Sequence, residues 1–532
     1  MSDIDEYIRE LHQDGSWFKK GTKQRKIQAL KSISALGNPF TVSSLFQFIF
    51  SLDKELSYET ALAIHELMSK VKPSQWPQLY PSFQYISIYP KQLRHLSQFP
   101  DTLAVDLLGI ASLNGDGHIR QEAVHELQKK LSPQKIVYIM LRLADWVSQV
   151  RKTAESAFFE CLNRENAQAF LSYTYVLDWM TRVERVDLSH IHDQIVGYLT
   201  SSSSIVHLKQ ALDHQDKTVR LFSYKAILRK SPHETVIIEK GAKDPNPGVR
   251  WYILQSIRNL SAEKFIQHLP IFIQDTFPNI CSSAMMAIPE EKWEDFRSIV
   301  SKNIFSDSPS IRNTARFLLK RYDSSVFADD YRKRIESEQI TPGILSGLAE
   351  TGDNEDFITL KYFTNHSKSK IRSAAIAGIY KLDAEQSITH LIDALKDPSS
   401  RVRRTSSNIL CKHHCFDISP LRKLIREEAA ESKISALKVL SDSLSWDVIE
   451  DLFLTINDRD EKVRLTAWTI YVKWFLKHST NNWTKPSQEV LRSLEAWIKE
   501  ANSKSMKIPD FAKIAWRELP NLIESGKQIW RY

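Results

Sequence analysis

The chain has 532 residues, 42% apolar and 26% charged, with a formal net charge of +8, 14 glycines and four cysteines. Cys161, Cys281, Cys411 and Cys415 are too few for a disulfide scaffold of this size. The greasiest run, Leu45-Phe46-Gln47-Phe48-Ile49-Phe50, is far shorter than the roughly 18 apolar residues a membrane span needs, so no membrane partner is expected. Sparse glycine fits an all-helical protein, and a mild basic lean does not by itself name a partner. The start, Met1-Ser2-Asp3-Ile4-Asp5-Glu6, is acidic and lacks the shape of a signal peptide, so a cytoplasmic location is expected.

Residues 1–100 are irregular. Lys19, Lys20, Lys23, Arg25, Lys26 and Lys31 cluster beside Trp17 and Phe18. Glu59 to Leu67 reads as a degenerate copy of Arg120 to Leu127, with His65-Glu66 matching His125-Glu126. Pro73 to Pro100 then carries five prolines with Trp76, Tyr80, Phe83, Tyr85 and Tyr89. Proline at this density breaks helices. The stretch reads as a linker packed on the first repeats, with a peptide- or nucleotide-contacting insertion as the alternative.

From residue 101 a pattern recurs about every 30 residues: Ile119-Arg120, Val150-Arg151, Val219-Arg220, Val249-Arg250, Ile311-Arg312, Ile371-Arg372, Val402-Arg403 and Val463-Arg464. Three residues past the arginine stands a small side chain in seven copies, such as Ala123, Ala154 and Ser406, with Ile253 the exception. Seven past it the chain is apolar again, as at Leu127, Phe158 and Leu410. Offsets −1, +3 and +7 lie on one helix face, and the small middle residue lets a neighbouring helix come close. Six residues ahead of their arginines stand Asp145, Asp244, Asp397 and Asp458, inside turn clusters such as Asp244-Pro-Asn-Pro-Gly. Each unit is helix, turn, helix, and a period of this length predicts stacked repeats. Ile280-Cys281, Ile340-Thr341 and Lys433 fill slots where the anchor is missing, while Arg182 to Ile195 has no clear register.

These residues resemble the HEAT-like repeats, in the short form named after phycobilisome lyases, over roughly residues 101–480. The resemblance implies that aspartates and arginines of successive repeats form a buried ladder in the turns. Asp145, Arg151, Asp244, Arg250, Asp397, Arg403, Asp458 and Arg464 are therefore assigned to structure rather than to ligand binding.

The C-terminal stretch holds Trp468, Trp474, Trp483, Trp497, Trp516 and Trp530, six of 13 tryptophans, and eleven bases against six acids from Lys473 to Tyr532. Aromatic rings threaded with bases suit nucleic acid. A solenoid also needs its last core face covered, which bulky aromatics do. Both readings stand.

Chemistry finds no clear home. Cys411-Lys-His413-His414-Cys415 offers zinc ligand types but lacks a second pair from another element, so no metal is assigned. Deoxyhypusine hydroxylase, another HEAT-like class, uses four matched His-Glu motifs; here only His65-Glu66 and His125-Glu126 share a register. Asp145-Trp146 to Arg151 has residue types used by HEAT-like DNA glycosylases, at the spacing of the ordinary repeat. The reading is an all-α, right-handed solenoid of stacked helix pairs, with an irregular segment at 1–100, repeats at 101–480 and a helical cap at 481–532. Its expected role is a non-catalytic scaffold without cofactor, holding a protein or peptide partner through Arg258, Arg404, Asn408, Lys473 and Lys477. The alternative is nucleic-acid binding through Lys19, Lys20, Lys23, Lys26, Trp474 and Trp483, extending to a glycosylase-type enzyme.

Overall fold

The computed structural model describes residues 3–12, 22–323, 327–413, 416–427, 429–442, 444–480, 486–503 and 507–529. Among them are helices, short 3-10 turns and loops, and no strand. The architecture is an all-α stack of helix pairs, forming two compact units, Met1–His268 and Leu269–Tyr532. That division falls inside the repeat array.

In the first unit the helices used below are α1 (Lys54–Ser69), α2 (Asp101–Ala111), α3 (Gly117–Gln128), α4 (Lys135–Leu143), α5 (Ser148–Cys161), α6 (Thr174–Met180), α7 (Lys217–Lys230), α8 (Thr235–Ala242) and α9 (Pro247–Ile257). Helix α2 packs on α1 and α3, α5 packs on α3 and α4, and α9 packs on α7 and α8. First and second helices of successive repeats therefore lie in two layers with the core between them. The face at −1, +3 and +7 is what they bury: Ile119, Ala123 and Leu127 on α3, and Val150, Ala154 and Phe158 on α5. Ile253 breaks the small-residue rule and is still fully buried. Gly241 makes the room, because a Cβ there would lie 2.7 Å from the Ile253 side chain. Where no register was legible, the short helices Ala167–Ser172, Thr174–Met180 and Ser189–Leu199 replace a regular pair.

The second unit contains α10 (Pro309–Asp323), α11 (Pro342–Thr351), α12 (Ser369–Leu382), α13 (Ala384–Ala394), α14 (Ser400–His413), α15 (Ala430–Leu440), α16 (Val448–Ile456), α17 (Glu461–Thr480), α18 (Gln488–Ser503) and α19 (Lys513–Ile529). Helices α11, α12, α14, α15, α17 and α19 pack each on the next and make the second-helix layer. On the other side α13 packs on α12 and α14, and α16 packs on α17 and α18. The same periodic face is buried, through Val402, Ser406 and Leu410 on α14 and Val463, Ala467 and Tyr471 on α17. Near the end of this unit the aromatic side chains close over one another. Trp468 and Trp474 are enclosed, Trp497 lies stacked on Phe453 with centroids 3.6 Å apart, and Trp516 meets Trp497 edge-on at 4.5 Å.

Candidate functional site: the arginine ladder and the second-helix groove

The repeat arginines look inward along the turns. Arg120 donates from Nε and Nη2 to the two oxygens of Asp145 at 2.8 Å, and from Nη1 to the carbonyls of Asn114 and Gly115. Arg151, one repeat on, donates from Nη1 to the carbonyls of Asp145 and Trp146. Asp145 thus receives one arginine on its side chain and the next on its backbone, a rung pattern that ties each turn to its neighbour. The same geometry joins Arg220 to Asp244 and Arg372 to Asp397. Arg250 donates to the carbonyls of Asp244 and Pro245, and Arg403 to those of Asp397 and Pro398. Lys433 takes the arginine's role at Asp458, whose own carbonyl receives Arg464. The aspartates also accept an amide two residues on, as Asp145 does from Val147 at 2.9 Å, which fixes the turn.

Two departures stand out. Arg312 reaches Glu350 on α11 instead of a turn aspartate. Arg151, Arg403 and Arg464 meet no carboxylate among the described residues and keep only the carbonyl bonds. None of the three makes a direct ion pair among the described residues, although Arg403 and Arg464 still help to lower the pKa of Asp397 and Asp458 through space. Burial pushes the carboxyls of Asp145, Glu350, Asp397 and Asp458 up, but hydrogen bonds from Arg120, Arg312, Arg372 and Lys433 outweigh it and hold all four below the usual carboxylate range.

With the arginines absorbed, the outward face of the second helices carries the remaining polar chemistry. On α14, Arg404 and Asn408 are exposed one turn apart, and Lys412 continues the row. On α15 the corresponding positions are Ile434 and Lys438, with Asp442 in the turn after it, and on α17 they are Leu465, Thr469 and Lys473. Helices α15 and α17 leave between them a groove of about 610 Å³ lined by Lys438, Ser441, Asp442, Leu465, Thr466, Thr469, Ile470 and Lys473. Leu465, 42% exposed, gives the lining an apolar surface, which it shares with Lys438, Lys473 and the acidic Asp442. Such a groove offers one hydrophobic footing and a lysine from each side.

No known protein family matches this chain, and no curated protein does. Among solved structures, Kap95p with RanGDP is 10% identical, over 98% of this chain and 67% of that one, with a TM-score of 0.34. A Kap95–Nup1 complex is 11% identical, over 99% and 67%, with a TM-score of 0.39. Importin beta crystallised from ammonium sulfate is 10% identical, over 98% and 62%, with a TM-score of 0.32. The chain spans about two thirds of these proteins' length, and likeness of this degree assigns no partner.

Of the remaining predicted residues, Arg258 follows α9 in the first unit, where it is exposed, and Lys477 is exposed on α17. Lys23 bonds Asp53 and Glu55, and Lys26 lies over the Phe48 ring at 5.6 Å. Lys19, Lys20, Trp483, His414 and Cys415 lie outside the described residues. Trp474 leaves the nucleic-acid set: its ring is enclosed and its Nε1 donates to the Ser445 carbonyl, so no base can stack on it. Asp145 is equally unavailable as a catalytic acid, since its two oxygens already accept four hydrogen bonds. Sequence reading passed over Lys438, Leu465 and Thr469, although their offsets of +5, +1 and +5 from Lys433 and Arg464 are the ones that placed Arg404 and Asn408.

Proposed function

We propose that this chain is a non-catalytic scaffold, built from short HEAT-like repeats of the phycobilisome-lyase type, that holds a protein partner in the cytoplasm. The partner offers an acidic segment with an apolar side chain to the second-helix face of the second unit. One observation carries the reading: Lys438 and Lys473, from two helices, line a single groove with the exposed Leu465, at the register positions that Arg404 and Asn408 hold on the neighbouring helix. A protein segment fits this surface better than a nucleic-acid strand does. The groove's lining has no aromatic ring for a base to stack on.

The test is a photo-crosslinking residue at Thr469 of the full chain, with the captured protein identified and its affinity measured for wild type and for Lys438→Glu with Lys473→Glu. The double reversal is expected to weaken binding by about tenfold or more, as like charges replace complementary ones. Unchanged affinity would overturn the assignment of the groove.

A further inference from the structure

The first unit holds a second, unrelated feature. Trp76 and Tyr80 come from the proline-rich stretch, Arg142 from the last turn of α4, Trp146 from the following turn, Trp179 from α6 and Arg185 from the loop after it. Together they line a cavity of about 230 Å³. Its walls are pre-built. Trp76 is held edge-on to Tyr138 at 5.3 Å and to Tyr173 at 5.9 Å, and Tyr80 meets Trp146 edge-on at 5.0 Å. The Trp146 carbonyl is tied to Arg151, yet its indole is 59% exposed.

Charge here does not balance. Asp145 is already neutralised by the two-pronged Arg120, and Arg142 adds a second guanidinium to the same carboxylate through Nη1 at 2.8 Å. Arg142 is only 7% exposed, and its buried Nε has no acceptor among the described residues. A buried donor left unmade is costly, so Asp145 satisfies only part of the guanidinium that lines the cavity. Burial, with the charge of Arg120 beside it, lowers the Arg142 pKa to about 10, which leaves it cationic at neutral pH. Arg185 sits at the rim, donating to the Ala144 carbonyl and lying over Trp146 at 5.3 Å. An aromatic cage normally invites a cation, but here the Tyr80 and Trp146 faces already carry Arg142 and Arg185, and a third positive charge would be repelled.

We propose that this cavity is a peptide-binding pocket that takes one aromatic side chain of a partner, together with a carboxylate that pairs with Arg142 and Arg185. The size favours a single side chain, because the volume lies below the roughly 300–1,000 Å³ of sites for larger ligands such as a nucleotide. Planar guanidinium donors beside flat rings match a carboxylate attached to an aromatic body. That carboxylate comes either from the peptide's C-terminus or from a neighbouring Asp or Glu. The site is independent of the groove in the second unit and stands whether or not that groove binds a protein.

The experiment is a tryptophan-fluorescence and calorimetric titration of the full chain with four probes. These are N-acetyl-glycyl-phenylalanine as the free acid, N-acetyl-glutamyl-phenylalaninamide, the neutral N-acetyl-glycyl-phenylalaninamide, and thymidine 5′-monophosphate. One of the two acids is expected to bind at least about tenfold more tightly than the neutral amide, and which one it is identifies the source of the carboxylate. Trp146→Ala and Arg185→Ala, both at exposed side chains, are expected to lose that binding while keeping helicity and melting temperature. Arg142→Met, which leaves the Arg120–Asp145 pair in place, should abolish the preference for the acid. Equal binding of acid and amide, binding indifferent to Trp146→Ala and Arg185→Ala, tighter binding of the nucleotide than of either acid, or no binding of any probe would each overturn the pocket.

Discussion

Two stretches of this chain look alike in sequence and behave differently in structure. Pro73 to Pro100 and the region from Trp468 onward are both rich in aromatic residues with bases close by. In the second, the rings meet each other: Trp468, Tyr471 and Trp474 are fully enclosed, and the Tyr471 hydroxyl donates to the Ala515 carbonyl at 3.1 Å. At the first, Trp76 is packed from behind by Tyr138 and Tyr173, while Tyr80 lies under the buried Arg142 and the exposed Trp146, from the turn after α4, lies under Arg185. The lesson concerns what completes an aromatic cluster. Rings enclosed by other rings serve packing, whereas rings set beside guanidinium groups at an open cavity stay free to meet a ligand.

That contrast can be broken most forcefully at the cap. Trp474→Ala should cost about 4 kcal/mol by emptying a sealed site and orphaning the Ser445 carbonyl, read as a large drop in melting temperature. A small change would mean that the cap is loosely packed after all. Asp145→Asn comes next, at about 3 kcal/mol, because two buried guanidinium groups lose their counter-charge. The folded-state pKa of Asp145 is depressed, so its contribution is complete above the unfolded value near 4 and disappears as pH falls through the lower folded value. Acid titration of stability should show a shallower loss in the Asn variant, and identical profiles would contradict the assignment.

A smaller effect probes the backing of the pocket. Tyr138, against which Trp76 rests, donates to Asp106 at 2.8 Å, and Asp106 also meets His65 at 2.6 Å. That hydrogen bond raises the His65 pKa, so the stability it lends is full below about 6.5 and is lost as pH rises through the higher folded value. His65→Ala should remove this alkaline loss, at a cost under about 1 kcal/mol, checked by denaturant unfolding across pH. Smallest of all, Trp146→Ala should leave stability within about 0.5 kcal/mol while changing ligand binding, which separates a binding ring from a packing ring.

The repeat was readable from sequence because helix geometry imposes it. Offsets of −1, +3 and +7 cannot hold Val150, Ala154 and Phe158 on a line without burying them together, and the arginine's place in each turn follows the same period. The ladder was readable in part. Nothing local signals that Arg312 takes its carboxylate from Glu350, because that partner lies on a helix 38 residues away. Grooves between second helices were within reach of the same offsets, through Lys438 and Leu465. The arginine pocket was not, since Trp76, Trp146 and Trp179 come from an irregular segment, a turn and a helix with no common period. Nor could sequence tell the buried Trp474 from the exposed Trp146: both are tryptophans near bases, and only packing separates them.

The most direct measurement is fluorescence anisotropy of the full chain with labelled duplex DNA, single-stranded DNA and RNA, each at low and at physiological salt. A protein-binding scaffold whose C-terminal tryptophans are a cap should show no binding at physiological salt and only weak, salt-labile binding below it. Micromolar or tighter binding with a steep salt dependence, lost on reversal of Lys473 and Lys477, would contradict it and make the basic end a nucleic-acid site.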